Sequence, residues 1–119
     1  MKQSVLIILN RQPYDGTDLS WNALRLAGQL HQDGAEVRMF LVNDSVDLAR
    51  ETTKTPEGFV DLVQMLKELI GKGVVVKACG SCQARCGINK GDPYFHPDLT
   101  SNMAQFSEWV RTSDKVLSF

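Results

Sequence analysis

The 119-residue sequence has no long hydrophobic run. Nowhere does it approach the roughly 20 consecutive apolar residues that a membrane-spanning helix requires. Met1-Lys2-Gln3 leads into only six apolar-rich residues before Asn10, too few for the core and cleavage site of a signal peptide. A cytoplasmic location without membrane contact is the expectation. Excess charge is missing too. Thirteen Lys and Arg balance fourteen Asp and Glu, leaving no basic footprint for nucleic acid and no acidic tail. There is no G-x-G-x-x-G after the first apolar run and no P-loop lysine, so no nucleotide loop is expected. A Ser–His–Asp hydrolase has no local signature, and nothing in the chain calls for a cofactor. Cysteine is scarce: three residues, all between Cys79 and Cys86. A disulfide gains most by closing a long loop, and these thiols can close only short ones. Structural cross-linking is therefore the weaker reading, and redox, sulfur-transfer or metal chemistry the stronger.

What is present describes one domain, residues 1–119, with ordinary globular composition. Ser4–Leu9 is a short continuous apolar run, the pattern of a strand buried on both faces. Asn10–Asp18 contains Pro13 and Gly16 and reads as a loop, with Thr17 or Asp18 as the cap of a helix over about Leu19–His31. Ala23, Leu24, Ala27 and Leu30 share one face of that helix. Val37–Val42 reads as the second strand. Asn43–Thr55 is polar, with a short helical turn at Val46–Arg50. Thr55 and Pro56 fit a helix start. Phe59, Leu62, Val63, Leu66, Leu69 and Ile70 then follow helical spacing up to the stop at Gly71-Lys72-Gly73. Val74–Ala78 is a third strand and Asn89–Pro97 a loop. A last helix carries Leu99, Met103, Phe106 and Val110 on one face, and Lys115–Phe119 closes as a strand. Strands alternating with helices predict an α/β fold, a three-layer sandwich around a mainly parallel sheet of about five strands.

The cysteines begin at the carboxyl end of the third strand, and in open parallel sheets reactive groups gather beyond that edge. A helix opening over Ser81–Arg85 would stabilise a Cys79 thiolate through its free N–H groups, and Arg85 and Lys77 would add positive charge. The loop Arg11–Asp18 leaves the first strand at the same edge and is placed to roof the site. Cys79 and Cys82 form a C-x-x-C pair, and Cys82 and Cys86 share a helical face. One reading is a persulfide carrier, in which one thiolate holds a sulfane sulfur and passes it on, with its neighbours as resolving thiols. A second is a dithiol–disulfide switch. The thioredoxin version lacks the Trp and Pro that flank its motif. A third is a Cys₃His zinc site using Cys79, Cys82, Cys86 and His96. A fourth treats the cysteines as small packing residues.

The remaining polar residues are weaker signals. Asn10, Tyr14 and Asp18 are placed to line the crevice, and His96 sits in a loop close to the cysteines. His31 reads as a residue favoured by the end of its helix. Asp44, Asp47 and Glu51 read as a solvated loop. Trp21 and Trp109 fall beside the core stripes of their helices and read as interface anchors.

Three segments together resemble the DsrE/DsrF-like family, most closely its YchN-like branch. They are Asn10-Arg-Gln-Pro-Tyr14 leading to Asn22–Ala27, Val76–Cys82 followed by Gly87-Ile88, and Glu108-Trp109 with Asp114–Phe119. The resemblance spans nearly the whole chain. It implies an α/β sandwich that assembles as a homotrimer or homohexamer, with a cysteine site near subunit contacts. It also implies sulfur donor and acceptor proteins as partners. Sulfur-relay members of the TusD type carry a persulfide on a cysteine after the strand, and Cys79 matches that position, eight residues before Gly87. The resemblance points to Cys79 as nucleophile; the residues read by themselves add Cys82 as auxiliary thiol and Asn10, Tyr14, Arg85, Cys86 and His96 as binding residues. Cys86 departs from the family pattern, which commonly has arginine there. The resemblance thus favours a small sulfur-carrier or sulfurtransferase-like protein. A non-catalytic oligomeric module that senses redox state or binds metal is the alternative.

Overall fold

The computed structural model describes residues 2–119. Five strands form one sheet in the order β4-β3-β2-β1-β5, all parallel: β1 Ser4–Leu9, β2 Glu36–Leu41, β3 Val75–Cys79, β4 Thr100–Ser101 and β5 Lys115–Ser118. The helices are α1 Leu19–Gln32, α2 Leu62–Lys72 and α3 Met103–Thr112, with 3₁₀ segments at Asn43–Ala49 and Pro97–Leu99. From β1 through β3 the chain steps in one direction across the sheet, so its right-handed crossovers put α1 and α2 on the same face. After β4 the chain returns past β1 to β5. The reversal of direction carries α3 to the opposite face, which makes the third layer.

Alternation along β2 shows the two faces. Val37, Met39 and Leu41 alternate with Arg38 and Phe40, and all but Arg38 are buried. Phe40 stacks on Phe106 at 4.3 Å and meets Trp109 edge-on at 6.0 Å, contacts worth about 0.5–1.5 kcal/mol each beyond their buried area. Arg38 lies over the Trp109 ring and donates to Ser4, Thr112 and Ser113 hydroxyls. It thereby ties the end of α3 to the start of β1.

Several sequence expectations need correction. The core face of α3 is built by Phe106 and Trp109, whereas Met103 and Val110 are exposed and Leu99 precedes the helix in a 3₁₀ turn. Trp109 is therefore a core residue. Trp21 is half-buried with the Arg25 guanidinium over its ring. Helix α2 starts six residues after Pro56. Its cap is Asp61, whose carboxylate accepts from the Gln64 N–H at 3.0 Å, and Phe59 lies outside it, 64 % exposed. Asp18 makes no side-chain cap bond at α1. The two-residue β4 has no signature in the sequence, because nothing in Thr100-Ser101 carries an alternating pattern. Among the described residues no helix is long and apolar enough to cross a membrane.

Candidate functional site: the cysteine loop

Cys79 is the last residue of β3 and only 5 % exposed. The chain cannot continue straight, because Gly80 passes close to β4 and donates its N–H to the Ser101 carbonyl at 2.8 Å. A Cβ at Gly80 would lie 2.9 Å from that same oxygen. Turns then follow one another. The N–H of Gln83 bonds the Gly80 carbonyl, those of Arg85 and Cys86 bond the Cys82 carbonyl, and that of Gly91 bonds the Gln83 carbonyl. The helix expected over Ser81–Arg85 is therefore a set of linked turns. Its glycines and its bonds across the loop stop the ladder after one α-turn, and no helix dipole acts on the cysteines.

Donors around the sulfur replace that dipole. The Ser81 hydroxyl lies 3.2 Å from the Cys79 sulfur. Burial works to raise the Cys79 pKa. The Ser81 hydroxyl, the Cys82 thiol and the N–H groups of Cys82 and Ser81 outweigh it and hold Cys79 below the ordinary thiol value. Cys82 is the opposite case. Burial first, then the Cys79 and Cys86 sulfurs, push its thiol up to about 12 against the Asn43 N–H directed at it. The surroundings thus treat the two unequally: they favour the charged form at Cys79 and the neutral thiol at Cys82. Cys82 and Cys86 are half-buried, and all three are free.

The loop is held from beneath by Arg50, which is fully buried. Its Nε donates to Asp47 Oδ1 at 2.9 Å, and its Nη2 to the carbonyls of Gln83 at 2.8 Å and Cys86 at 3.1 Å. Its Nη1 donates to the Asp92 carbonyl. Asp47 also accepts from the Ile88 N–H at 2.7 Å, and Asp44 from the Gly87 N–H at 3.1 Å. At Gly87, φ is +83° and a Cβ would fall within the Asp47 carboxylate, so this position admits only glycine. Tyr94, buried, donates its hydroxyl to the Cys79 carbonyl at 2.6 Å, and burial pushes its pKa well above the usual phenol value. Asp47 is thus 2 % exposed rather than solvated. The signal for it was available: Asp47 and Arg50 bracket Leu48-Ala49 and follow Val46, so two charges three apart stand in an apolar stretch. Tyr94 had no such signal.

The other candidates are dispersed. The Asn10 amide donates to Ser118 Oγ and the Phe119 carbonyl, and its oxygen accepts from Asn43 at 3.1 Å. Asn10 therefore reaches the site through Asn43, whose φ of +56° is left-handed and whose N–H faces Cys82. Tyr14 turns to the segment before α2, donating to the Val60 carbonyl at 2.7 Å and accepting from the Leu62 N–H at 2.9 Å. With Trp21 and Phe59 it lines an apolar pocket, so Tyr14 and Asp18 belong to that pocket instead of roofing the cysteines. Arg85 is exposed, and Lys77 donates to the Asp98 carbonyl at 2.6 Å; no cation is among the groups that lower the Cys79 pKa. His96 is exposed and accepts from the Asp98 N–H at 3.1 Å. Among the described residues no three His, Cys, Asp or Glu side chains come together as a metal site. The set Cys79, Cys82, Cys86 and His96 is therefore not assembled.

The geometry agrees with what the chain is similar to. The model of the DsrE/DsrF-like family matches residues 3–119. Protein YchN of Escherichia coli (strain K12) is 32% identical over 119 residues, covering 98% of this chain and 99% of its own. An uncharacterized protein of Methanopyrus kandleri is 30% identical over 115 residues, covering 97% and 93%. The crystal structure of the E. coli ychN protein superposes with a TM-score of 0.78 at 29% identity, over 98% of this chain and 99% of that one. By its sequence over almost its full length, and by its fold, the chain belongs to the DsrE/DsrF-like family.

Proposed function

We propose that the protein is a sulfur carrier that holds a sulfane sulfur as a persulfide on Cys79. One observation carries the reading: the Cys79 sulfur, at the carboxyl end of β3, sits among the Ser81 hydroxyl, the Cys82 thiol and two backbone N–H groups. These donors stabilise the attacking form of the sulfur, which is the thiolate. Membership of the DsrE/DsrF-like family supports a role of the sulfur-relay type. Loading balances simply. The Cys79 thiolate attacks the outer sulfur of a donor persulfide R–S–SH, forming Cys79–S–SH and releasing R–S⁻. Three free thiols suit a reducing compartment such as the cytoplasm. Self-association belongs to the same proposal: the exposed Phe59 and Val60 beside the Tyr14–Trp21 pocket support it.

The test is intact-mass spectrometry after incubation with an inorganic polysulfide. Wild-type protein gains about 32 Da, the mass of one sulfur, and Cys79→Ser does not. Equal labelling of the two proteins, or none of either, overturns the carrier reading.

A further inference from the structure

One peptide group at the end of β3 is held from both sides. The β2–β3 ladder ends at Leu41 and Ala78, so the Cys79 carbonyl lies past the last strand pair. A buried carbonyl needs a donor, and the Tyr94 hydroxyl supplies it at 2.6 Å. On the other side of the same peptide group, the Gly80 N–H donates to the Ser101 carbonyl at 2.8 Å. Tyr94 is itself fixed. It makes an isolated antiparallel bridge with Arg50, and the Phe95 N–H bonds the Ala49 carbonyl at 2.8 Å. The Arg50 guanidinium lies over its ring at 5.4 Å.

A planar peptide group held at both its oxygen and its N–H fixes ψ of Cys79 and φ of Gly80. Those two angles set the direction in which the chain leaves the strand. Ser81 follows at once, and its hydroxyl lies 3.2 Å from the Cys79 sulfur. We propose that Tyr94 is a positioning residue for Cys79: with the Ser101 carbonyl it clamps the Cys79–Gly80 peptide group, and the clamp holds the Ser81 hydroxyl against the sulfur. This rests on the carrier reading above and deepens it, since it concerns the same sulfur.

The other charged and titratable groups at this end of β3 are committed elsewhere. Arg50 donates to Asp47 and to the carbonyls of Gln83, Cys86 and Asp92. Lys77, two residues before Cys79 on the same face of the strand, donates to the Asp98 carbonyl. Cys82 and Cys86 lie further along the loop. Among the described residues none of these side chains donates to the Cys79 carbonyl. Burial keeps the Tyr94 phenol protonated well above its usual range, so it stays a donor while a thiol titrates.

Tyr94→Phe removes the hydroxyl and keeps the ring. Iodoacetamide alkylation of the full-length protein is followed against pH on the tryptic peptide Ala78–Arg85, where fragmentation separates Cys79 from Cys82. In Tyr94→Phe the pH midpoint of Cys79 is expected to rise. The rate at pH 7 is expected to fall by about threefold to tenfold, as thiolate is lost. The double variant with Ser81→Ala is expected to be no slower than the slower single one, because both changes remove the same donor. Losses that multiply would show that Tyr94 acts independently of Ser81 and overturn the proposal. An unmoved midpoint in Tyr94→Phe does the same.

Leu24→Val, in the buried face of α1, is expected to lower the urea midpoint and leave the Cys79 pH midpoint where it is. An equal pH shift there would make the effect a general loosening and rule out the clamp. Gly80→Ala attacks the clamp from its other side. A Cβ at that position falls 2.9 Å from the Ser101 carbonyl oxygen, so the midpoint is expected to rise with Tyr94 intact, and no rise counts against the clamp. Inorganic polysulfide separates this proposal from the carrier reading. Wild type gains about 32 Da on Cys79, and Tyr94→Phe gains it more slowly. Normal loading with an unmoved midpoint removes the clamp and leaves the carrier. No sulfur on either protein removes the carrier reading, while a raised midpoint still upholds the clamp.

Discussion

Arg50 and Glu51 are neighbours in the chain, and each makes an ion pair, yet the two pairs do opposite work. Arg50 and Asp47 are 0% and 3% exposed at 2.9 Å, and their remaining polar atoms are spent on the backbone of the cysteine loop. Glu51 and Lys67 meet at 2.8 Å with 67% and 33% exposure, and tie the start of the 51–61 segment to α2. The first segment, residues 80–96, has almost no regular structure but is bound at each turn to a buried charge. The second carries Phe59 and Val60 on the outside and is held by Tyr14 and Thr55 at its edge. A buried pair contributes little net stability against an apolar replacement, but removing one partner is costly. Its use here is to define the shape of a loop whose own sequence specifies none.

The strongest way to break the contrast is Arg50→Met. It strands Asp47 in the interior and leaves three carbonyls without their donor, so a loss of about 3–5 kcal/mol is expected, read as a lower urea midpoint. Glu51→Gln is the matching change on the exposed pair and comes last, at no more than about 0.5 kcal/mol. Equal effects from the two would mean that burial is not what separates them.

Next in size is Gly87→Ala. It adds a left-handed strain and a collision with Asp47, for an expected loss of about 2–3 kcal/mol. Calorimetry would show it as a lower Tm, and an unchanged Tm would deny that Asp47 is rigidly held.

Ser81→Ala tests the site more gently. It removes one donor from the Cys79 sulfur, so the pH midpoint of Cys79 alkylation moves up toward the ordinary thiol value. Alkylation at pH 7 then slows by roughly threefold to tenfold. The sign follows from proton counts. Because the folded pKa of Cys79 lies below the unfolded one, its contribution to stability is complete above the ordinary thiol value. It fades as pH falls through the folded value. Cys82 runs the other way: its contribution is present below about 9 and is lost as pH rises toward about 12. In the wild-type protein iodoacetamide is therefore expected to modify Cys79 and leave Cys82 largely unmodified at pH 8, by peptide mass mapping with fragmentation.

The regular elements were legible because each declares itself locally. Apolar runs mark β1 and β3, helical spacing marks α1 and most of α2, and the order of elements requires a parallel sheet. The place of Cys79 was legible for the same reason, since the end of an apolar strand is visible in one dimension. The partners of Cys79 were not. A helix over Ser81–Arg85 satisfies local rules, but the loop turns instead to satisfy Arg50, thirty residues earlier in the chain. Asp47 reads as solvated until Val46, Leu48 and Ala49 carry it inside. Tyr14 and His96 sit on loops at the expected edge, yet their hydrogen bonds turn them toward other segments.

By itself, then, the sequence determined an α/β domain with its three thiols gathered at one strand end. Only the tertiary structure decided what surrounds each sulfur, and so that Cys79 is shifted down and Cys82 up. That choice depends on desolvation and on donors from Ser81, Cys82 and Asn43, and burial and hydrogen-bond direction exist only once distant parts of the chain have packed together.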